Sequence, residues 1–250
     1  DFEGEPLDVA VVHLPHIANF TDFDPLLLEP GVVVRFVRAP AALREPDLVI
    51  LPGSKATVAD LAWLRQHHWD AAIRGAYERG ASVLGICAGY QMLGAGIVDY
   101  VESRTGAVPG LGLLSSRTAF QDRKFTRQRR GSDAYGNQVQ GYEIHHGAVT
   151  PSPTATRWFT LEDGSGFAEE GERNEETRLY GTSLHGLFEN DDLRRSFLRT
   201  IASAKNKLFV AGEFEFEACR QMEIDKMAST LRAHVDVSRI IELATSRRPV

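Results

Sequence analysis

Ser82-Val-Leu-Gly-Ile-Cys-Ala-Gly-Tyr-Gln-Met-Leu-Gly94 is the stretch on which the reading of this chain turns. A short apolar run, Val83, Leu84 and Ile86, leads into Cys87. Gly85 and Gly89 stand two residues to either side, and apolar helix formers follow. This is the spacing of a nucleophile elbow, with cysteine where hydrolases carry serine. Side chains at Gly85 and Gly89 would collide in so tight a strand-to-helix turn, while the central residue is pushed out above the sheet. The following helix aims its free N–H groups and positive dipole end at the sulfur, favouring the thiolate, which is the reactive form. Without further context Cys87 reads equally well as a buried core cysteine.

Working outward, apolar runs of strand length recur at Asp8–Leu14, Val32–Val37 and Leu48–Leu51, joining that at Ser82–Ile86. Between the last two lies a helical stretch from about Ala59 to Arg79. Continuous apolar strands alternating with helices predict an α/β fold with a mostly parallel sheet covered on both faces, whose reactive residues sit beyond the carboxyl ends of the strands. From about residue 106 to 150, glycines, aromatics and alternation (Gly110–Leu114, Val139–Ile144) predict added antiparallel strands. Residues 121–138, with Arg123, Lys124, Arg127, Arg129 and Arg130, read as an exposed hairpin or loop. Further strands are expected at Trp158–Phe167 and Leu179–Leu184, and C-terminal helices at about Asp192–Ala204 and Phe216–Ala244, the latter with a break near Val235–Val237.

The 250 residues suffice for one large α/β domain or two small ones. A net charge of −6, from 28 Lys and Arg against 34 Asp and Glu, argues against nucleic acid as a main partner. No apolar run approaches a membrane span, and the acidic start is unlike a signal peptide. With only Cys87 and Cys219, far apart and in unlike contexts, a disulfide framework is not expected and a cytoplasmic location is. His67-His68 and His145-His146 do not by themselves make a metal site, so no metal is expected.

A cysteine nucleophile needs a base, oxyanion donors and a substrate pocket. His185, directly after a predicted strand and before Gly186, belongs at the same sheet edge as the elbow and is the base candidate, against a merely hydrogen-bonded structural role. The oxyanion hole should use the N–H of Ala88 and that of Gly53, in Leu51-Pro-Gly-Ser-Lys55. That loop lacks the G-x-x-x-x-G-K-[ST] pattern of a phosphate-binding loop, and reads otherwise as a plain turn.

Four segments in order resemble the class I glutamine amidotransferases, and more narrowly the branch found in the cobyric and cobyrinic acid synthases: Val12-His-Leu-Pro-His-Ile-Ala-Asn-Phe-Thr-Asp-Phe-Asp-Pro-Leu26, Leu51–Arg65, Gly85–Gly94 and Gly141-Tyr-Glu-Ile-His-His-Gly147. The first two favour the cobyric acid synthase side. The resemblance covers nearly the whole chain and implies a flavodoxin-like sheet. It implies that Cys87 attacks the side-chain amide of glutamine, giving a thioester and ammonia, and that His185 shuttles the proton. It implies that Gln91, and more loosely His145 and Gly147, bind glutamine. The usual triad ends in His-x-Glu, but Leu187 stands two residues after His185, as in this branch; Glu189 or a backbone carbonyl is left to orient the ring.

The resemblance also implies an N-terminal ATP- and magnesium-dependent synthetase half that holds the corrinoid. No cofactor is expected in this chain. Residues 1–7 are then a linker and 8–250 the amidotransferase domain, whose ammonia would amidate adenosylcobyrinic acid a,c-diamide in cobalamin biosynthesis. Three other readings remain: the glutaminase subunit of a lipid II amidating complex, which the Asn19–Asp24 segment opposes; a non-catalytic partner-binding module, opposed by Cys87, His185 and Gly53 together; and a cysteine peptidase or hydrolase, which would lack the Gln91 and His145-His146-Gly147 pattern.

Overall fold

The structure, a computed structural model, describes residues 4–164 and 166–245. The chain divides into two compact units, one up to Gly212 and one from Glu213. Residues 1–3 of the expected linker lie outside the described residues, and Leu7 already opens the first strand.

In the first unit, strands β1 (Leu7–Val12), β2 (Val32–Val37), β3 (Leu48–Leu51), β4 (Ser82–Ile86) and β11 (Leu179–Thr182) pair in parallel in the order β2-β1-β3-β4-β11. This is the flavodoxin-like order, with the fifth parallel strand supplied from far along the chain. The period-2 alternation of a strand sorts its side chains onto two faces. Leu48 and Ile50 join Leu84 and Ile86 in one core, while Val49 and Leu51 join Val83 in the other. The second core is closed by α1 (Thr57–Gln66), α2 (Trp69–Glu78) and α3 (Ala88–Leu93). The first is closed by a 3-10 segment at Phe20–Leu28 and by α4 (Asp191–Ala204).

The predicted helix from Ala59 to Arg79 is thus two helices. His68 takes a left-handed conformation (φ 60°) between them, and this turns Trp69 fully into the core.

Beyond β11 the sheet becomes largely antiparallel, through β10 (Phe167–Asn174), β9 (Thr156–Glu162) and β7 (Arg117–Asp133), and ends in β5 (Gly96–Asp99) and β6 (Gly106–Pro109). β8 (Gln138–Thr150) pairs with β7 as a long hairpin with a register shift between Phe120 and Phe125. The basic stretch is therefore mostly strand. Its turn is closed by the Asp133 carboxylate, which accepts from the amides of Tyr135 (2.8 Å) and Asn137 (2.9 Å).

Gly110–Leu114, expected as a strand, is a loop. Its amides serve the orphan carbonyls at the end of α3: Leu111 donates to Met92 at 2.8 Å, and Leu113 and Leu114 to Leu93 at 3.0 and 2.9 Å. The second unit holds α5 (Phe216–His234) and α6 (Val237–Thr245), with the expected break between them. Among the described residues no helix is long and apolar enough to cross a membrane.

Candidate active site

Cys87 joins β4 to α3 with φ 52° and ψ −110°, a backbone conformation that a non-glycine residue adopts only where its surroundings enforce it. The enforcement is visible. Its amide donates to the carbonyl of Thr182 at 2.8 Å, tying the turn to β11. A Cβ at Gly89 would lie 1.8 Å from the Leu51 carbonyl oxygen, and one at Gly85 would lie 2.6 Å from the backbone of Tyr90. Both glycines are required by close backbone approach, as the elbow spacing predicts. Ala88 is the first helical residue, so its amide has no partner within α3.

Gly53 follows β3 on a loop held from below by a buried carboxylate. Asp60 accepts from the Ser54 hydroxyl at 2.6 Å and lies 2.7 Å from Nδ1 of His16. The Gly53 carbonyl accepts the Ala18 amide at 2.9 Å. The glycine backs directly onto the candidate base, since a Cβ there would sit 2.9 Å from Cε1 of His185.

His185 lies three residues beyond β11 and is buried. Its backbone exchanges hydrogen bonds with Tyr142 on β8 (3.1 and 2.9 Å), and the Tyr142 ring stacks on the imidazole at 5.3 Å between centroids. Gly141 permits that approach: a Cβ there would lie 2.4 Å from the His185 carbonyl oxygen.

The group that orients the ring is neither Glu189 nor a backbone carbonyl. It is Asp22, buried in the 3-10 segment, whose Oδ2 lies 2.7 Å from Nδ1 of His185 while Oδ1 accepts the Gly186 amide at 3.0 Å. A carboxylate only accepts, so Nδ1 carries a proton and Nε2 is left for the sulfur side. Burial by itself would push the His185 imidazole down. The hydrogen bonds to Asp22 and Cys87, reinforced by the charges of both, outweigh it and raise the group to about 10. The Tyr142 hydroxyl is also held above its ordinary value, by burial and by the nearby charges of Asp22, Glu189 and Cys87.

Cys87, Ala88, Gln91, His145 and His185 all line one cavity of about 350 Å³. Charged side chains of both signs, Lys55 and Lys124 against Glu102, share its wall, which suits a zwitterionic amino acid. Gln91 is buried at its base, where its side-chain amide accepts from the Thr57 hydroxyl and donates to the Gly147 carbonyl, both at 3.4 Å. His146 also reaches the wall, with Nδ1 3.0 Å from the Gln121 carbonyl. Of the residues singled out in the sequence, Gly53 and Gly147 stand behind the lining rather than in it. Asp22 sits within Val12–Leu26, where nothing local marks it as a histidine partner 163 residues away.

A five-stranded parallel core in 2-1-3-4-5 order, with a cysteine elbow and a histidine at its carboxyl edge, defines a glutamine amidotransferase type of fold. Solved structures agree. A structure named simply glutamine amidotransferase aligns over 78% of this chain and 98% of its own, with TM-score 0.57 at 20% identity. The PurLQS structure from Thermotoga maritima aligns over 80% and 97%, with TM-score 0.57 at 15% identity. The chain belongs to the CobB/CobQ-like glutamine amidotransferase family, whose domain matches residues 8–193.

Curated relatives extend the match. Cobyric acid synthase of Klebsiella pneumoniae subsp. pneumoniae is 41% identical over 94% of this chain, and that of Nocardia farcinica 42% over 98%. The chain spans 48% and 49% of the length of those two relatives, about half of each.

Proposed function

We propose that this chain is the ammonia-supplying half of a cobyric acid synthase, and that Cys87, His185 and Asp22 hydrolyse glutamine. The observation that carries the reading is the imidazole of His185, fixed by Asp22 through Nδ1 and lining the same amino-acid-sized cavity as Cys87. The Cys87 thiolate attacks the δ-carbon of the glutamine side chain. The developing oxyanion takes the N–H groups of Ala88 and Gly53. His185 gives its Nε2 proton to the leaving nitrogen, so ammonia departs and a γ-glutamyl thioester remains. A water then attacks the thioester carbonyl as His185 takes its proton, and glutamate and the sulfur are released. Throughout, Nδ1–H stays with Asp22, which orients the ring and favours the imidazolium. Gln91 and His145 line the glutamine end of the cavity, and the Gly147 carbonyl behind them holds the Gln91 side-chain amide.

In the whole enzyme, ammonia passes to an N-terminal synthetase half that uses ATP and magnesium and holds the corrinoid substrate, adenosylcobyrinic acid a,c-diamide. The setting is the cytoplasm. A lipid II amidating glutaminase would use a similar Cys/His pair, but the names of the relatives at 38–42% identity favour the corrinoid assignment. The test is Cys87→Ala in the full-length enzyme. Glutamine-dependent amidation should vanish while amidation supplied with free ammonia persists; loss of both together, or survival of the glutamine reaction, contradicts the division of labour.

A further inference from the structure

Thr182, which ends β11 opposite Ile86 of β4, and Ser183 lead into His185, and both are held by one carboxylate. The fully buried Thr182 accepts the Cys87 amide on its carbonyl at 2.8 Å. Its hydroxyl donates to Oε2 of Glu170 at 2.6 Å, and the same hydroxyl oxygen accepts the Leu184 amide at 3.1 Å. Oε1 of Glu170 accepts the Ser183 amide at 2.6 Å. A hydroxyl has a single proton, and here Glu170 receives it; a backbone amide can only donate. Both carboxylate oxygens therefore act as acceptors, an arrangement met in full by the ionised form. A glutamine in this place presents one acceptor and one donor, and the donor would face a donor.

We propose that Glu170 is a positioning residue for glutamine hydrolysis: its ionised carboxylate, through Thr182 and Ser183, holds the His185 segment and the Cys87 amide in mutual register. This rests on the reading of Cys87 and His185 given above.

Glu170 lines a second cavity, of about 230 Å³, that shares His145 with the first. Tyr90 from α3, Arg127 and Arg129 from β7, and Glu143 and His145 from β8 face into it, with Asp163 and Glu169 at its rim. Arg129 is shared by two acids, 3.5 Å from Glu143 and 3.7 Å from Asp163. Burial pushes the Glu170 carboxyl up, the Thr182 and Ser183 hydrogen bonds hold it down, and the Glu143 charge adds to the rise, leaving it at about 7.

The sign of the linkage separates positioning from mere stability. A carboxyl raised in the folded state contributes more stability as pH falls from about 7 towards its ordinary value of 4.5. The hold on the His185 segment is lost over that same interval. Activity and stability therefore move in opposite directions.

The experiment is kcat and KM for glutamine against pH, with parallel thermal melts, in the full-length enzyme and its Glu170→Gln, Thr182→Val and double variants. Wild-type kcat should fall on the acid side with an apparent pKa near 7, while the melting temperature does not fall with it. Glu170→Gln should lower kcat about 10- to 100-fold, leave KM nearly unchanged and abolish the acid limb. Thr182→Val should do the same, and the double variant should be no worse than the poorer single one. Wild-type kcat with an intact acid limb in Glu170→Gln overturns the proposal, as does a loss that tracks the melting temperature. Should Glu170→Gln fail to fold, Thr182→Val decides by the same two readouts. Glutamine hydrolysis surviving in Cys87→Ala would instead refute the underlying site.

Discussion

The two halves of the candidate site are built on different principles. The elbow at Cys87 is local: a strand, a bend and a helix within 82–93, made possible by glycines whose missing side chains admit the Leu51 carbonyl and the Tyr90 backbone. The surroundings of His185 are assembled from afar. They take Asp22 from a 3-10 segment near the start of the chain, Gly53 from the loop after β3, and Tyr142 from β8. Backbone geometry makes the first half, and buried hydrogen bonds make the second. A nucleophile can thus be encoded by spacing, while its base is encoded by topology.

Each half can be broken separately. Gly89→Ala should have the largest effect, because the new methyl carbon would sit 1.8 Å from a carbonyl oxygen that β3 cannot withdraw. A cost of about 3 kcal/mol or more is expected, read as a lowered melting temperature together with loss of glutaminase activity. Wild-type stability and activity in that variant would mean the elbow is not as tight as described.

Asp22→Asn should spare the fold and lower kcat by about 10²- to 10⁴-fold, the usual worth of a correctly held acid–base group. The pH dependence carries a sign. The imidazole raised to about 10 contributes stability that is fully present below its ordinary 6.5 and lost as pH rises through about 10. Without the Asp22 charge, burial is opposed by Cys87 alone. The ring then loses its proton at lower pH, and the basic limb of kcat/KM moves down with it, as does the His185 titration followed by NMR. The matched control is Glu189→Gln, the orienting partner that the sequence alone left open. It should change kcat by no more than a factor of about 3. Reversal of those two outcomes would return the orienting role to Glu189.

The same contrast explains what could be read from residues alone. Val32–Val37, Leu48–Leu51 and Ser82–Ile86 are found as strands with the bounds their apolar runs mark; the last two are buried along their whole length, as continuous apolar sequence requires, while Val32–Val37 is the half-exposed edge strand. The break at His67-His68 was hidden because the apolar spacing runs on across it, and only the burial of Trp69 reveals the turn. The exposed hairpin read at 121–138 is found, but its strands run further, from Arg117 to Thr150, because β7 and β8 pair through their backbones whatever side chains they carry. Gly110–Leu114 misled because its apolar residues cap α3 rather than join the sheet. In the site, Cys87, Ala88, Gly53, Gln91, His145 and His185 are brought to one cavity or its backing, as their motifs imply. Asp22 and Glu170 carry no local signature, since the role of each carboxylate is defined by the donors that other segments bring to it.

Cys219 is more exposed than Cys87, so a reagent guided by access alone would choose it first. The most direct test is therefore a glutamine-shaped electrophile, 6-diazo-5-oxo-L-norleucine, applied to the full-length enzyme and followed by peptide mass spectrometry. Modification confined to Cys87, blocked by glutamine and slowed in Asp22→Asn, is the predicted result. Labelling of Cys219 with Cys87 untouched would contradict the site.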